Sequence, residues 1–121
     1  VGIVYNLHHG HSHIENFNEL LASMKPYLLC LNLNGMTRDG DKRGKKILPL
    51  GEGEHDVSLL KTIRRSGYDG PIGIIGHTQD DVELRLRDNL DGLHWLLPQL
   101  DGSPAGPKPK LRTYSREKAA N

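Results

Sequence analysis

Cysteine is nearly absent. Cys30 stands alone, so no internal disulfide framework is open to the chain. It lies within the apolar run Leu28–Leu33, where a free thiol behaves as a small buried hydrophobe. Aromatic residues are scarce at 5%, and hydrophobic residues reach only 36%, a modest supply for a large core. No apolar run approaches the roughly 18 residues that a membrane helix needs. No CxxC pair, Walker loop or Ser/His/Asp set is present. Gly51-Glu52-Gly53 is glycine-rich but has no tight strand–GxGxxG–helix frame around it. It is therefore read as tight loop packing rather than a dinucleotide fingerprint.

Net charge is close to balanced at +1, but the charge is unevenly spread. The segment 103–121 holds five of the sixteen cations and one of the fifteen carboxylates, so it carries +4 and the rest of the chain −3. A basic tail is the pattern that touches nucleic acid or acidic lipid. Here Pro104, Gly106, Pro107 and Pro109 make it a poor former of helix or strand. A solvated, disordered basic tail over 103–121 is expected, with neither nucleic acid nor membrane as partner.

What remains, 1–102, alternates strand-like and helix-like segments. Val1–Tyr5 is rich in β-formers. Phe17, Leu20, Leu21 and Met24 repeat at helical spacing, and Pro26 ends that run. Leu28–Leu33 is a second strand, with Leu29, Leu31 and Leu33 on one side and Cys30, Asn32 and Asn34 on the other. The charged loop 37–46 follows. Asp56 is placed to cap a helix bearing Val57, Leu60 and Ile63, and Gly67 to close it. Ile72–Ile75 reads as a third strand. Thr78 or Asp80 would cap a last helix with the stripe Val82, Leu86, Leu90, Leu93 and Leu97, stopped by Pro98.

The order is β-α-β-α-β-α, with polar residues at the end of each strand. That is the layout of a parallel α/β enzyme face. An eight-fold barrel needs about 250 residues, and the chain has 121, opening on Val1 inside a strand pattern. The expectation is a fragment of a longer protein, or a half that completes itself by association.

Candidate chemistry gathers at those strand ends. His8, His9, His11 and His13 form the densest cluster, and imidazole is the commonest ligand for borderline transition metals. In an extended stretch His9, His11 and His13 would share a side, with His9 the favoured ligand or catalytic group. Asn6, Asn32 and Asn34 offer both a donor and an acceptor to hydroxyls or carbonyls. His77 follows the third strand, where a barrel puts functional groups. His55 and His94 are read as structural or exposed.

Four motifs carry a family resemblance: Tyr5-Asn6-Leu7-His8-His9, Asn32-Leu33-Asn34-Gly35, the loop Gly51-Glu52-Gly53-Glu54-His55-Asp56, and the turn Gly67-Tyr68-Asp69-Gly70-Pro71. Over Val1 to about Leu100 the chain resembles the C-terminal part of the xylose-isomerase-like TIM barrels, the sugar phosphate isomerase/epimerase family. The resemblance implies an α/β fold of parallel βα repeats, the last three βα units of a TIM barrel. It implies proton transfer next to a sugar carbonyl, a small carbohydrate substrate, and a divalent metal (Mn, Mg, Zn or Co). His9 matches the family's histidine ligand, and Arg38 lies where some epimerases keep a substrate-binding arginine. Asn6 and Asn32 replace ligands, and Gly76-His77 stands where a glutamate belongs. The implied site is thus His9 and His77 for catalysis, His9 for metal, and Asn6, Asn32, Asn34 and Arg38 for substrate. A branch acting on 3-keto sugars by elimination or hydration is similar around Asn6–His9. A carbohydrate-binding barrel without its metal site is the non-enzymatic alternative, and homo-oligomeric association fits either.

Overall fold

A computed structural model of the chain describes residues 1–76 and 81–112. Three strands, β1 (Ile3–Asn6), β2 (Leu28–Leu33) and β3 (Ile72–Ile74), form one sheet in the order β1-β2-β3, and both pairings are parallel. Helices α1 (Phe17–Met24), α2 (Asp56–Ser66) and α3 (Val82–Leu100) alternate with them. The fold is mixed α/β, compatible with consecutive βα units. Among the described residues no helix is long and apolar enough to cross a membrane.

The register sorts the sheet into two faces. Tyr5 pairs with Leu31 and Leu31 with Ile72, while Leu33 pairs with Ile74. Leu31 and Leu33 are buried in one cluster with Phe17, Leu21, Leu59, Leu60, Ile63 and Leu96. That face therefore lies under all three helices. The other face carries Val4, Asn6, Cys30, Asn32 and Gly73, in register across the strands. Its residues are half-buried or, for Val4, exposed. Leu29 does not join the leucine core; it is largely exposed at the start of β2, beside the register irregularity between Ile3 and Val4.

Local chemistry accounts for the element ends. Pro26 follows α1 within a single 3-10 turn, Lys25–Tyr27. Gly67 ends α2 at φ +75°, a left-handed position that costs glycine little. Asp56 is not the cap of α2 but its first residue; His55 precedes it. The Asp56 carboxylate instead accepts the N–H groups of Met36 at 2.7 Å, Gly51 at 2.8 Å and Gly53 at 3.0 Å. It thereby ties the Gly51–Gly53 loop and the exit of β2 to α2. The cap of α3 is Asp81, whose Oδ1 accepts the N–H of Leu84; the expected caps Thr78 and Asp80 lie outside the described residues. Pro98 does not stop α3, which runs on to Leu100, because a proline in the last turn disturbs only one backbone bond.

α3 departs most from its sequence pattern. Its buried face is Arg85, Asp88, Asn89, Gly92 and Leu96. Asn89 Oδ1 accepts the Leu50 N–H at 2.9 Å, and Asn89 Nδ2 donates to Arg85 O at 2.9 Å. Gly92 lets the helix touch the loop: a Cβ there would sit 1.7 Å from Leu50 O. Residues 103–112 have neither helix nor strand but run along α3. Trp95 Nε1 donates to Gly106 O at 2.9 Å, Lys108 pairs with Glu52 at 2.6 Å, and Arg112 bridges Asp88 and Asp91.

Candidate functional site

Beyond β1 the chain turns twice in 3-10 conformation, over Leu7–His9 and His11–His13. At three residues per turn, alternate residues no longer share a side. The histidines therefore separate. His8 and His11 are buried, whereas His9 and His13 are exposed. The His9 ring stacks, tilted, on His8 at 4.1 Å. His13 Nδ1 lies 3.3 Å from Asn16 Oδ1.

His11 is the best-held member. Its Nδ1 lies 3.1 Å from His8 O and donates to it. Nε2 is buried with no hydrogen-bond partner among the described residues, and Thr37 Oγ1 is in the same condition. Gly40 closes over this point: a Cβ on it would approach His11 Nε2 to 3.0 Å. His11 also lines a cavity of about 270 Å³ with Ser12, Ile14, Glu15, Arg38, Asp39 and His55. The loop after β1, the loop after β2 and the entry of α2 all contribute to it. Arg38 and Glu15 form an ion pair across the two loops.

The amides fall elsewhere. Asn6 and Asn32 are opposite each other in register, and Asn32 Nδ2 donates to Asn6 Oδ1 at 2.8 Å. Cys30 Sγ lies 3.5 Å from Asn32 Oδ1, and Gly73 leaves room for that oxygen. Together they form a small polar strip on the sheet face away from the helices. Asn34 is fully buried; its Nδ2 donates to Gly35 O at 2.8 Å and Lys46 O at 3.2 Å, pinning the loop that follows β2. His77 lies outside the described residues. The structure thus brings Arg38 to the cavity, puts Asn6 and Asn32 together on the sheet, and leaves His9 exposed beside His8, outside the cavity lining.

Asp56, near this site, has a strongly shifted proton affinity. Burial pushes its carboxyl up to about 7, against the pull of three backbone N–H donors and with the Glu52 charge adding to the rise. Among the described residues no three of His, Cys, Asp and Glu come together in a way that would hold a metal ion. By themselves they do not make the ligand set of a divalent metal, and no step below runs through one.

Sequence reasoning passed over His55, Glu15 and Thr37 as site residues. Glu15 and His55 are separated by forty residues and carry no motif between them; only the fold of two loops over α2 joins them. The Arg38-Asp39 pair in a charged loop after a strand was the available signal. Comparison with family models, curated proteins and solved structures finds nothing that matches this chain.

Proposed function

We propose that the chain is the closing portion of a xylose-isomerase-like barrel, three βα units long, and that it acts on a small sugar or sugar phosphate by proton transfer next to a carbonyl. One observation carries the reading. The loops beyond two parallel strands meet the start of α2 around one polar cavity that two histidines, His11 and His55, line together with Arg38 and Glu15. Imidazole is the side chain most often used to move a proton at such a site. Arg38 and Glu15 offer a donor and an acceptor to hydroxyls, and Asn6 and Asn32 form a separate polar strip on the sheet. His9, beside His8, and His77, after the third strand segment, are the further imidazoles this reading assigns to catalysis.

The test is solvent deuterium exchange at the carbon beside the carbonyl, followed by proton NMR with a panel of ketoses and ketose phosphates. Exchange above the buffer rate is expected, falling about 100-fold in His11→Ala or His9→Ala. Shift changes of loop amides on sugar addition, without exchange, support the second reading, a carbohydrate-binding barrel. The mutual Asn6–Asn32 hydrogen bond favours that reading, because those side chains satisfy each other where the resemblance puts ligands. Neither exchange nor shift changes overturn both.

A further inference from the structure

Part of the apolar surface of α3 is left uncovered. Val82 is 78% exposed, Leu86 47%, Leu90 40% and Leu97 44%, and between them Leu93 is half-buried, its inner side packed against the core. The helix buries Leu96 and Gly92 together with Arg85, Asp88 and Asn89. The exposed residues make one continuous stripe about 22 Å long at 1.5 Å per residue. Scattered exposed leucines need no explanation, but a continuous stripe rimmed by charge marks a contact surface. The spacing supplies the identity of the partner. Every step along the stripe is four residues except that from Leu90 to Leu93. It therefore reads nearly the same in either direction, with Leu90 at the centre. A surface that matches its own reverse is what a twofold interface requires.

We propose that α3 is the interface of a homodimer, packed antiparallel on α3 of a second copy. Leu90 meets its own equivalent, Leu86 meets Leu93 of the copy, and Val82 meets Leu97. Charge favours this direction. Parallel packing in register sets Arg87 beside Arg87 and Glu83 beside Glu83. Antiparallel packing sets Arg87 of one copy within about half a turn of Asp91 of the other. It also opposes the two helix dipoles. None of these residues lines the cavity.

Sedimentation velocity over about a hundred-fold range of concentration, spanning the micromolar affinities usual for small interfaces, is the first measurement. A monomer–dimer equilibrium is expected, and Leu90→Glu should shift it at least ten-fold toward monomer with an unchanged circular dichroism spectrum. Val4→Glu, on the sheet face, should leave it unaltered. Direction is read in a Cys30→Ser background. Leu86→Cys mixed with Leu93→Cys should cross-link on oxidation, while either alone should not. A monomer at every concentration overturns the proposal. So does association that survives Leu90→Glu but is lost in Val4→Glu, or self-cross-linking of Leu86→Cys alone. If Leu90→Glu does not fold, the cross-linking pattern decides by itself.

Discussion

Asp56 carries three backbone N–H groups on one buried carboxylate, so its loss should be felt across two loops. Asp56→Ala leaves those donors without an acceptor and is expected to destabilise the fold by at least about 3 kcal/mol in urea unfolding. Its ionisation gives a sign as well. The folded-state value of about 7 lies above the ordinary 3.8, so the folded protein binds this proton more tightly than the unfolded chain. The stability this contributes is full below 3.8 and is lost as pH rises through about 7. Urea midpoints for the wild type should therefore fall from pH 4 to pH 7 relative to Asp56→Asn, which does not titrate. The opposite slope means that the three N–H groups outweigh burial. The histidines divide at the same scale. His9→Ala, exposed, should change stability by less than about 0.5 kcal/mol, whereas His11→Ala opens a buried site and should cost about 1–2 kcal/mol.

Among the elements, the strands and the first two helices were legible in the sequence, because period-2 and period-3.6 patterns were strong over Leu28–Leu33 and Phe17–Met24. The face of α3 was not. Its leucine stripe is a better helical pattern than the face that is buried, yet Asn89 and Gly92 fit the Leu50 loop, and that contact fixes the rotation of the helix. A long-range backbone contact leaves no periodic trace. Gly92→Ala tests it: a Cβ thrust into a backbone carbonyl cannot be relieved by a rotamer, and a loss of about 2 kcal/mol or more is expected in urea unfolding. The site was legible as a neighbourhood and not as a set of residues. Strand ends marked the region, but two 3-10 turns decided that His11, not His9, went inward. The segment 103–112 adds a direct readout. Because Trp95 Nε1 is held by Gly106 O, removal of 103–121 should shift indole emission to the red.

At the scale of the molecule, β2 is the only strand paired on both sides among the described residues, where β1 and β3 each present an edge. Hydrogen exchange should follow that order. Amides of Leu31 and Leu33, in the central strand and the core, should exchange most slowly, and those of Val4 and Gly73 much sooner. Equal protection in all three strands would mean that the edges are covered in solution. Val4, Leu29 and Ile72 are exposed near those edges, which is the composition that invites strand addition by another chain.

Asn34 is followed by Gly35, the pairing most prone to spontaneous loss of side-chain ammonia. The backbone nitrogen of the glycine attacks the amide carbonyl, ammonia leaves, and hydrolysis of the ring yields Asp or isoaspartate. In the folded chain that nitrogen is occupied, donating to Leu48 O at 2.6 Å, while the Asn34 amide is buried and held by Gly35 O and Lys46 O. Folding thus locks away a chemical clock. Each excursion that opens the loop after β2 lets the clock advance, and every completed reaction replaces an amide that donates to two carbonyls by a carboxylate that cannot donate. Ageing of stored protein should therefore accelerate once begun, and peptide mapping should find isoaspartate at position 34 in step with loss of the folded fraction.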